Sequence, residues 1–224
     1  MLEEIKAIQY KGLDFSEITE IVAVETAVKL ECGKYKTDLF FTPQEIEEFA
    51  IGHLVSKDLI EKKDDIKSLK ISGNKKNGFK IKVKIREKEE KTILKEDMEI
   101  DPEVIYSMNE HVVKSSDLFL KSGAFHYAYI FDTLGRNKYS AYDIGRMNAI
   151  DKVIGKCIMD DEGLQGKILY TTGRIASRSV KKAVNAGIGM IVSKAPPMHE
   201  AIIMAKRNNV IIIGFSRGKR FTIY

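Results

Sequence analysis

The alternation of short apolar runs with amphipathic stretches toward the end of the chain constrains its fold more than any other feature. Lys167 to Thr171, Gly189 to Ser193 and Val210 to Phe215 are too short for helices and rich in Ile, Leu and Val, so strands are expected there. Ala149 to Met159, Ala176 to Ala186 and Pro197 to Arg207 carry apolar residues at helical spacing, which predicts helices. Strands separated by single helices require crossover connections, which lay the strands side by side in one direction with helices on the sheet faces. An open α/β layer structure with a largely parallel sheet follows for the C-terminal half.

The earlier half is patterned differently, so the chain is divided into an N-terminal α+β region (residues 1–121) and an α/β region (122–224) that carries the binding loops. Glu20 to Phe41 is expected as two strands about the turn Cys32-Gly33-Lys34. Thr42, Pro43 and Glu45 have the form of an N-cap, a first helical residue and the far end of a capping box. They open a helix with Ile46, Phe49, Ala50, His53 and Leu54 on one buried face. Ile66 to Ser72 and Phe79 to Arg86 alternate apolar residues with lysine around a turn from Gly73 to Gly78, which predicts a hairpin with one solvated face. Asp101 and Pro102 open a second helix to about Leu120, with Val104, Ile105, Met108, Val112 and Leu118 inward. Ala124 to Phe131 and Lys138 to Tyr142 follow as strands joined by a turn.

No apolar run approaches the roughly 20 residues needed to cross a bilayer. The start Met1-Leu2-Glu3-Glu4 puts acid where a secretory leader carries base, so a cytoplasmic protein is expected. The two cysteines, Cys32 and Cys157, exclude a disulfide framework and any CxxC motif. The formal charge of +5 is unevenly spread. From Thr172 to Tyr224 ten Lys and Arg residues face the single acid Glu200, a balance of +9, while the rest of the chain, with 27 bases and 31 acids, carries −4. Such a basic end points to an anionic partner: a phosphate, a nucleotide or a nucleic acid.

Ligands of open α/β sheets sit outside the carboxyl ends of the strands. Three stretches fall there. Thr171-Thr172-Gly173-Arg174 offers hydroxyls, backbone N–H groups and a guanidinium at the opening of a helix, the parts of an anion site. Ser193 to Pro197 occupies the same place one crossover later. After the last strand, Phe215 has the ring to stack on a base, with Ser216 and Gly218 between it and the phosphate-binding cations Arg217, Lys219 and Arg220. Upstream, Asp143, Arg146, Asn148, Asp151 and Lys152 crowd a helix start, either as internal ion pairs or as a polar cluster under the ligand. His126 begins a strand with neither nucleophile nor metal partner at matching spacing, which fits a structural histidine as well as a ligand contact. His53, His111 and His199 form no zinc-binding pattern, so no metal site is expected.

These segments, in this order, resemble the formate dehydrogenase accessory sulfurtransferases (FdhD). The family pattern T-P-x-x-x-x-x-A-x-G matches Thr42-Pro43 through Ala50 and Gly52, T-G-G-x-H matches Ser122 to His126, and E-D-x-G-R-H-N-A-x-D-K matches Tyr142 to Lys152. S-G-R matches Thr172 to Arg174, a serine-alanine-proline turn matches Ser193 to Pro196, and G-F-x-R/K-x-x-R matches Gly214 to Arg220. The resemblance implies a cytidine-deaminase-like α/β fold with a mixed sheet and flanking helices, lacking the deaminase zinc ligands. It also implies a homodimer that takes sulfur from a cysteine desulfurase and passes it to the molybdenum bis(molybdopterin guanine dinucleotide) cofactor of formate dehydrogenase, with GDP as a partial mimic.

Carried over, the cofactor contacts are Phe215 to Arg220, joined by Thr172, Gly173, Arg174, Ser193, Asp143, Arg146, Asn148 and His126. Departures are specific. The family persulfide forms on a C-G-x-C-G loop, and the matching interval here, Leu94 to Ile100, holds no cysteine. Tyr142 stands where the family has glutamate and Met147 where it has histidine. The chain thus resembles a divergent member that binds the cofactor without the loop that carries sulfur. Two alternatives stay open: a persulfide carrier through Cys32, next to the turn residue Gly33, or a guanine-nucleotide or nucleic-acid binding module using the basic end.

Overall fold

A computed structural model describes residues 2–87 and 98–224. Leu94 to Asp97, the first part of the interval aligned with the family cysteine loop, lie outside the described residues. Among the described residues the strands form three sheets. β1 (Leu2–Lys11) and β2 (Asp14–Ala23) make an antiparallel hairpin. β3 (Thr26–Cys32), β4 (Tyr35–Phe41), β5 (Ile66–Asn74) and β6 (Gly78–Ile85) make a four-stranded sheet in the order β4-β3-β6-β5. β7 (His126–Phe131), β8 (Asn137–Asp143), β9 (Ile168–Thr171), β10 (Met190–Ser193), β11 (Ile211–Arg217) and β12 (Arg220–Ile223) make the main sheet, ordered β12-β11-β10-β9-β7-β8. The helices are α1 (Ile46–Ser56), α2 (Pro102–Lys114), α3 (Asp117–Ser122), α4 (Arg146–Met159), α5 (Ser177–Ala186) and α6 (His199–Arg207).

Pleating divides the main sheet between two cores. Ala128, Ile130, Leu169, Ile191 and Ile212 face α4, α5 and α6, and beyond them α1 and the small sheet. Tyr127, Tyr129, Phe131, Ile168, Tyr170, Met190, Val192 and Ile213 face the other way, where Ile105, Met108 and Val112 of α2 cover them. Each fully buried Leu, Ile, Val or Phe contributes about 1.5–3 kcal/mol, so both layers hold the sheet from its two faces. Among the described residues no helix is long and apolar enough to cross a membrane.

The sheet is mixed, as the family resemblance implies: β9, β10 and β11 are parallel, while β7 pairs antiparallel with β8 and β9, and β12 returns antiparallel to β11. The largely parallel sheet expected from the alternation is confined to those three central strands. Three further expectations are corrected. Thr42 does not cap α1, which begins at Ile46 after Glu45 in a left-handed conformation (φ 53°) with no side-chain cap. The Thr42 hydroxyl instead accepts from the Ile144 N–H at 3.1 Å, and its own N–H donates to Asp143 at 2.9 Å, so tertiary bonds displace the local motif. α1 is buried all round from Phe49 to Ser56 rather than on one face, because it lies between the small sheet and α4. The helix from Pro102 ends at Lys114. The Ser115 and Ser116 hydroxyls donate to the His111 and Val112 carbonyls at 2.8 and 2.6 Å, competing with the backbone ladder, and α3 starts afresh.

Polar as well as apolar groups join α1, α4 and α5. Asp151 sits at the centre. One carboxylate oxygen meets His53 Nδ1 at 2.8 Å, and the other accepts from Ser56 at 2.6 Å and from Lys182 at 2.5 Å, while His53 Nε2 meets the Tyr35 hydroxyl at 2.8 Å. Burial works against the charged carboxylate, yet Lys182 and His53 outweigh it and hold Asp151 down at about 2.

Candidate functional site

The antiparallel start of β7 and the ends of β8, β9, β10 and β11 meet at one edge of the main sheet. His126 lies opposite Asp143 in register, and the Tyr127 N–H donates to Thr172 Oγ1 at 2.9 Å, placing the loop after β9 beside both. One strand over, Ser193 donates to the Gly173 carbonyl at 2.8 Å. Phe215 N–H then donates to Ala195 O, and Arg217 Nε donates to Lys194 O at 2.9 Å. The cofactor contacts carried over from the family motifs thus gather on this edge or on the hairpin turn that extends it.

The foundation is Asp143, fully buried. Its carboxylate accepts from Thr42 N–H at 2.9 Å, Gly145 N–H at 2.8 Å and Asn148 Nδ2 at 3.0 Å, and pairs with Lys152 Nζ at 2.7 Å. Asn148 Nδ2 also donates to Phe40 O, and Lys152 to Thr42 O. Asp143 and Asn148 therefore spend their hydrogen bonds tying the small sheet to the main one beneath the edge. The two positions that depart from the family pattern are filled by packing. Tyr142 bonds Gln44 and lies against Phe125 and Tyr127, while the Met147 sulfur receives the Ser179 hydroxyl.

Several backbone N–H groups of the loops where an anion site is expected are engaged within the protein. α5 starts only at Ser177. Before it, Thr172, Gly173, Ile175 and Ala176 donate to Tyr127 O, Thr171 Oγ1, Pro196 O and Ser179 Oγ. After β10, Ala195 donates to Ser193 Oγ and Met198 to Ile175 O. Side-chain charge is plentiful beside them. Arg174, Arg217, Lys219 and Arg220 are exposed. Arg146 reaches across the end of β9 because residue 173 is glycine: a Cβ there would lie 2.8 Å from Arg146 Cδ, and the Arg146 Nε is buried with no partner. Burial lowers the pKa of His126, helped by Arg146 and Lys194 and opposed by Asp143. Burial also lowers Lys194, with Arg217 adding to it. Like charges crowd this edge, as they do where an anion is received.

Phe215 is the exposed ring at the edge, and its backbone is strained. Its φ of 52° is one an aromatic residue rarely adopts, and it sits in a bulge between Gly214 and Arg217. Such strain persists where the surroundings enforce it, and it collects at functional sites. The enforcing contacts include Asn109 and Tyr170, both absent from the sequence reading. Asn109 was discoverable as the one polar residue in the apolar stripe Ile105, Met108, Val112.

Neither cysteine belongs to this edge. Cys32 closes β3 at the end opposite Thr26, whose partner Phe41 adjoins the Asp143 cluster, and six residue steps of strand separate the two ends by about 20 Å. Cys32 is buried and desolvation pushes its thiol up; Cys157, fully buried in α4, is pushed up to about 12.

The fold and site define an α/β protein with a cation-lined edge beyond its parallel strands. The FdhD/NarQ family model matches residues 23–224, and the chain belongs to that family. The protein named Protein FdhD of Methanocaldococcus jannaschii is 36% identical over all of this chain and 96% of its own length. The Sulfur carrier protein FdhD of Saccharolobus solfataricus is 29% identical over 96% of this chain and 90% of its own. A crystal structure of a putative formate dehydrogenase accessory protein from Desulfotalea psychrophila has the same fold. It superposes with a TM-score of 0.85 at 24% identity, covering 100% of this chain and 96% of that one.

Proposed function

We propose that this chain is a formate dehydrogenase accessory protein that binds the molybdenum bis(molybdopterin guanine dinucleotide) cofactor at the edge of its main sheet, without carrying sulfur on a cysteine of its own. The observation that supports this most is the setting of Phe215. An exposed ring held in a strained bulge shares its turn with the exposed Arg217, Lys219 and Arg220 and is bonded through its N–H to Ala195, next to Lys194, which suits a guanine and its phosphates. The donor set fits such a group. Arg217, Lys219 and Arg220 would meet phosphates, Phe215 a base, and Arg146 with His126 a further anionic part. The bound cofactor supplies the redox chemistry of the client enzyme; this chain holds and orients it. A mixed sheet with a parallel centre is consistent with the cytidine-deaminase-like description.

GDP tests the binding. At about a hundred times its dissociation constant it is expected to add about 2.7 kcal/mol, raising Tm by about 5–10 °C in a chain of this size. Arg217→Ala with Arg220→Ala should remove most of that shift while leaving the ligand-free Tm near its starting value. No shift with any guanine nucleotide would overturn the reading. The sulfur half is tested separately. Incubation with a cysteine desulfurase and sulfur-labelled cysteine should leave the native protein unlabelled, because both thiols are buried and neither favours the thiolate. A persulfide mapped to Cys32 or Cys157 would sink it.

A further inference from the structure

We propose that Asn109 is the positioning residue of the ligand-binding turn: from α2, on the far face of the sheet, it locks residues 215–218 in the conformation that presents Phe215 and Arg217. This rests on the reading of that turn as the cofactor site. Asn109 is 3% exposed and uses three of its hydrogen-bonding positions on one small region. Its Oδ1 accepts from the Ser216 hydroxyl at 2.8 Å and from the Tyr170 hydroxyl at 2.8 Å, and its Nδ2 donates to the Gly218 carbonyl at 2.9 Å. Tyr170 also reaches the Ser216 carbonyl at 3.3 Å, closing a ring of contacts around residue 216.

That ring brackets the two left-handed residues of the turn. Phe215 has φ 52° and Gly218 φ 52°, and the β11–β12 register shifts between Gly214 and Arg217. Glycine takes that conformation freely, but for phenylalanine it lasts only while neighbouring bonds over-determine it. Ser216 alternates inward between the exposed Phe215 and Arg217, so fixing Ser216 fixes which way both neighbours face. Asn109 is buried among Ile105, Met108 and Val112, where an unsatisfied amide would be costly. Its partners and its place are mutually enforcing.

The test uses the full chain. Asn109→Ala should weaken GDP binding about tenfold by calorimetry, at a temperature well below the variant's Tm. It should also speed tryptic cleavage after Arg217, Lys219 or Arg220, read by mass as loss of the C-terminal peptide. A role confined to stability would lower Tm and change neither readout. Should Asn109→Ala fail to fold, Ser216→Ala removes one bond of the ring from the other side and should show the same two changes in smaller measure. Unchanged GDP affinity and unchanged cleavage in the folded variants would overturn the proposal. If native protein binds no GDP, the cofactor reading fails, and the cleavage rates alone decide on the clamp: faster supports it, equal overturns it.

Discussion

Lys152→Met is expected to cost about 3–5 kcal/mol of unfolding free energy, because it removes one partner of an ion pair that water does not reach. Lys152 and Asp143 are both fully buried, with Nζ 2.7 Å from the carboxylate. The ammonium also donates to Thr42 O at 3.0 Å and Tyr142 O at 3.3 Å, so it binds the end of β8 to the loop before α1. Without it, the Asp143 carboxylate keeps neutral donors from Thr42, Gly145 and Asn148 but no counter-charge. Burial lowers the pKa of Lys152, and Asp143 opposes that only in part, so desolvation of the pair is not fully offset. The double variant Lys152→Met with Asp143→Asn should therefore be milder than Lys152→Met alone. Denaturant unfolding checks both, and a single variant within about 1 kcal/mol of the native protein would refute the account.

The reach of the sequence is clearest where burial and periodicity agree. β9, α5, β10, α6 and β11 lie within two residues of their expected bounds, because apolar strands between amphipathic helices leave few alternatives. The hairpin from Ile66 to Ile85 was legible for the same reason. Where long-range bonds decide, local pattern misleads. Thr42 has every mark of an N-cap, yet Asp143 and Ile144, a hundred residues away, take its polar groups. The β1–β2 hairpin was invisible before Glu20 because Ile5, Ile8, Tyr10 and Phe15 stay exposed, so no buried face imposes a strand pattern.

The site followed the same division. Its charge was legible as the +9 end, and the order of its motifs placed the loops. Its supports were not. His53 was counted with the apolar face of α1, and only the fold shows it against Asp151. Asn109 belongs to a helix that carries no family motif, and its role depends on Ser216 and Gly218 across the sheet. The loops after β9 and β10 bond one another, bridging Ile175 and Pro197, which single-loop reasoning cannot see.

Gly155→Ala and Gly52→Ala should each be among the most damaging single-methyl additions in the chain. A Cβ at Gly155 would stand 1.8 Å from the Glu48 carbonyl oxygen, and one at Gly52 would stand 1.7 Å from that of Asp151. Both obstacles are backbone, so no side-chain rotation relieves them, and α1 and α4 must separate. Separation would loosen Phe49 and Ile154 from the core and pull Asp151 away from His53 and Ser56. Overpacking ordinarily costs about 1–3 kcal/mol, and the added loss of the buried polar contacts puts these variants at or above the top of that range. Gly163→Ala is the internal control. A Cβ there meets nothing within 4 Å and its φ is not left-handed, so it should be neutral or stabilise by up to about 1 kcal/mol through the unfolded chain. Equal Tm values for Gly155→Ala and Gly163→Ala would mean that the two helices do not cross through their glycines.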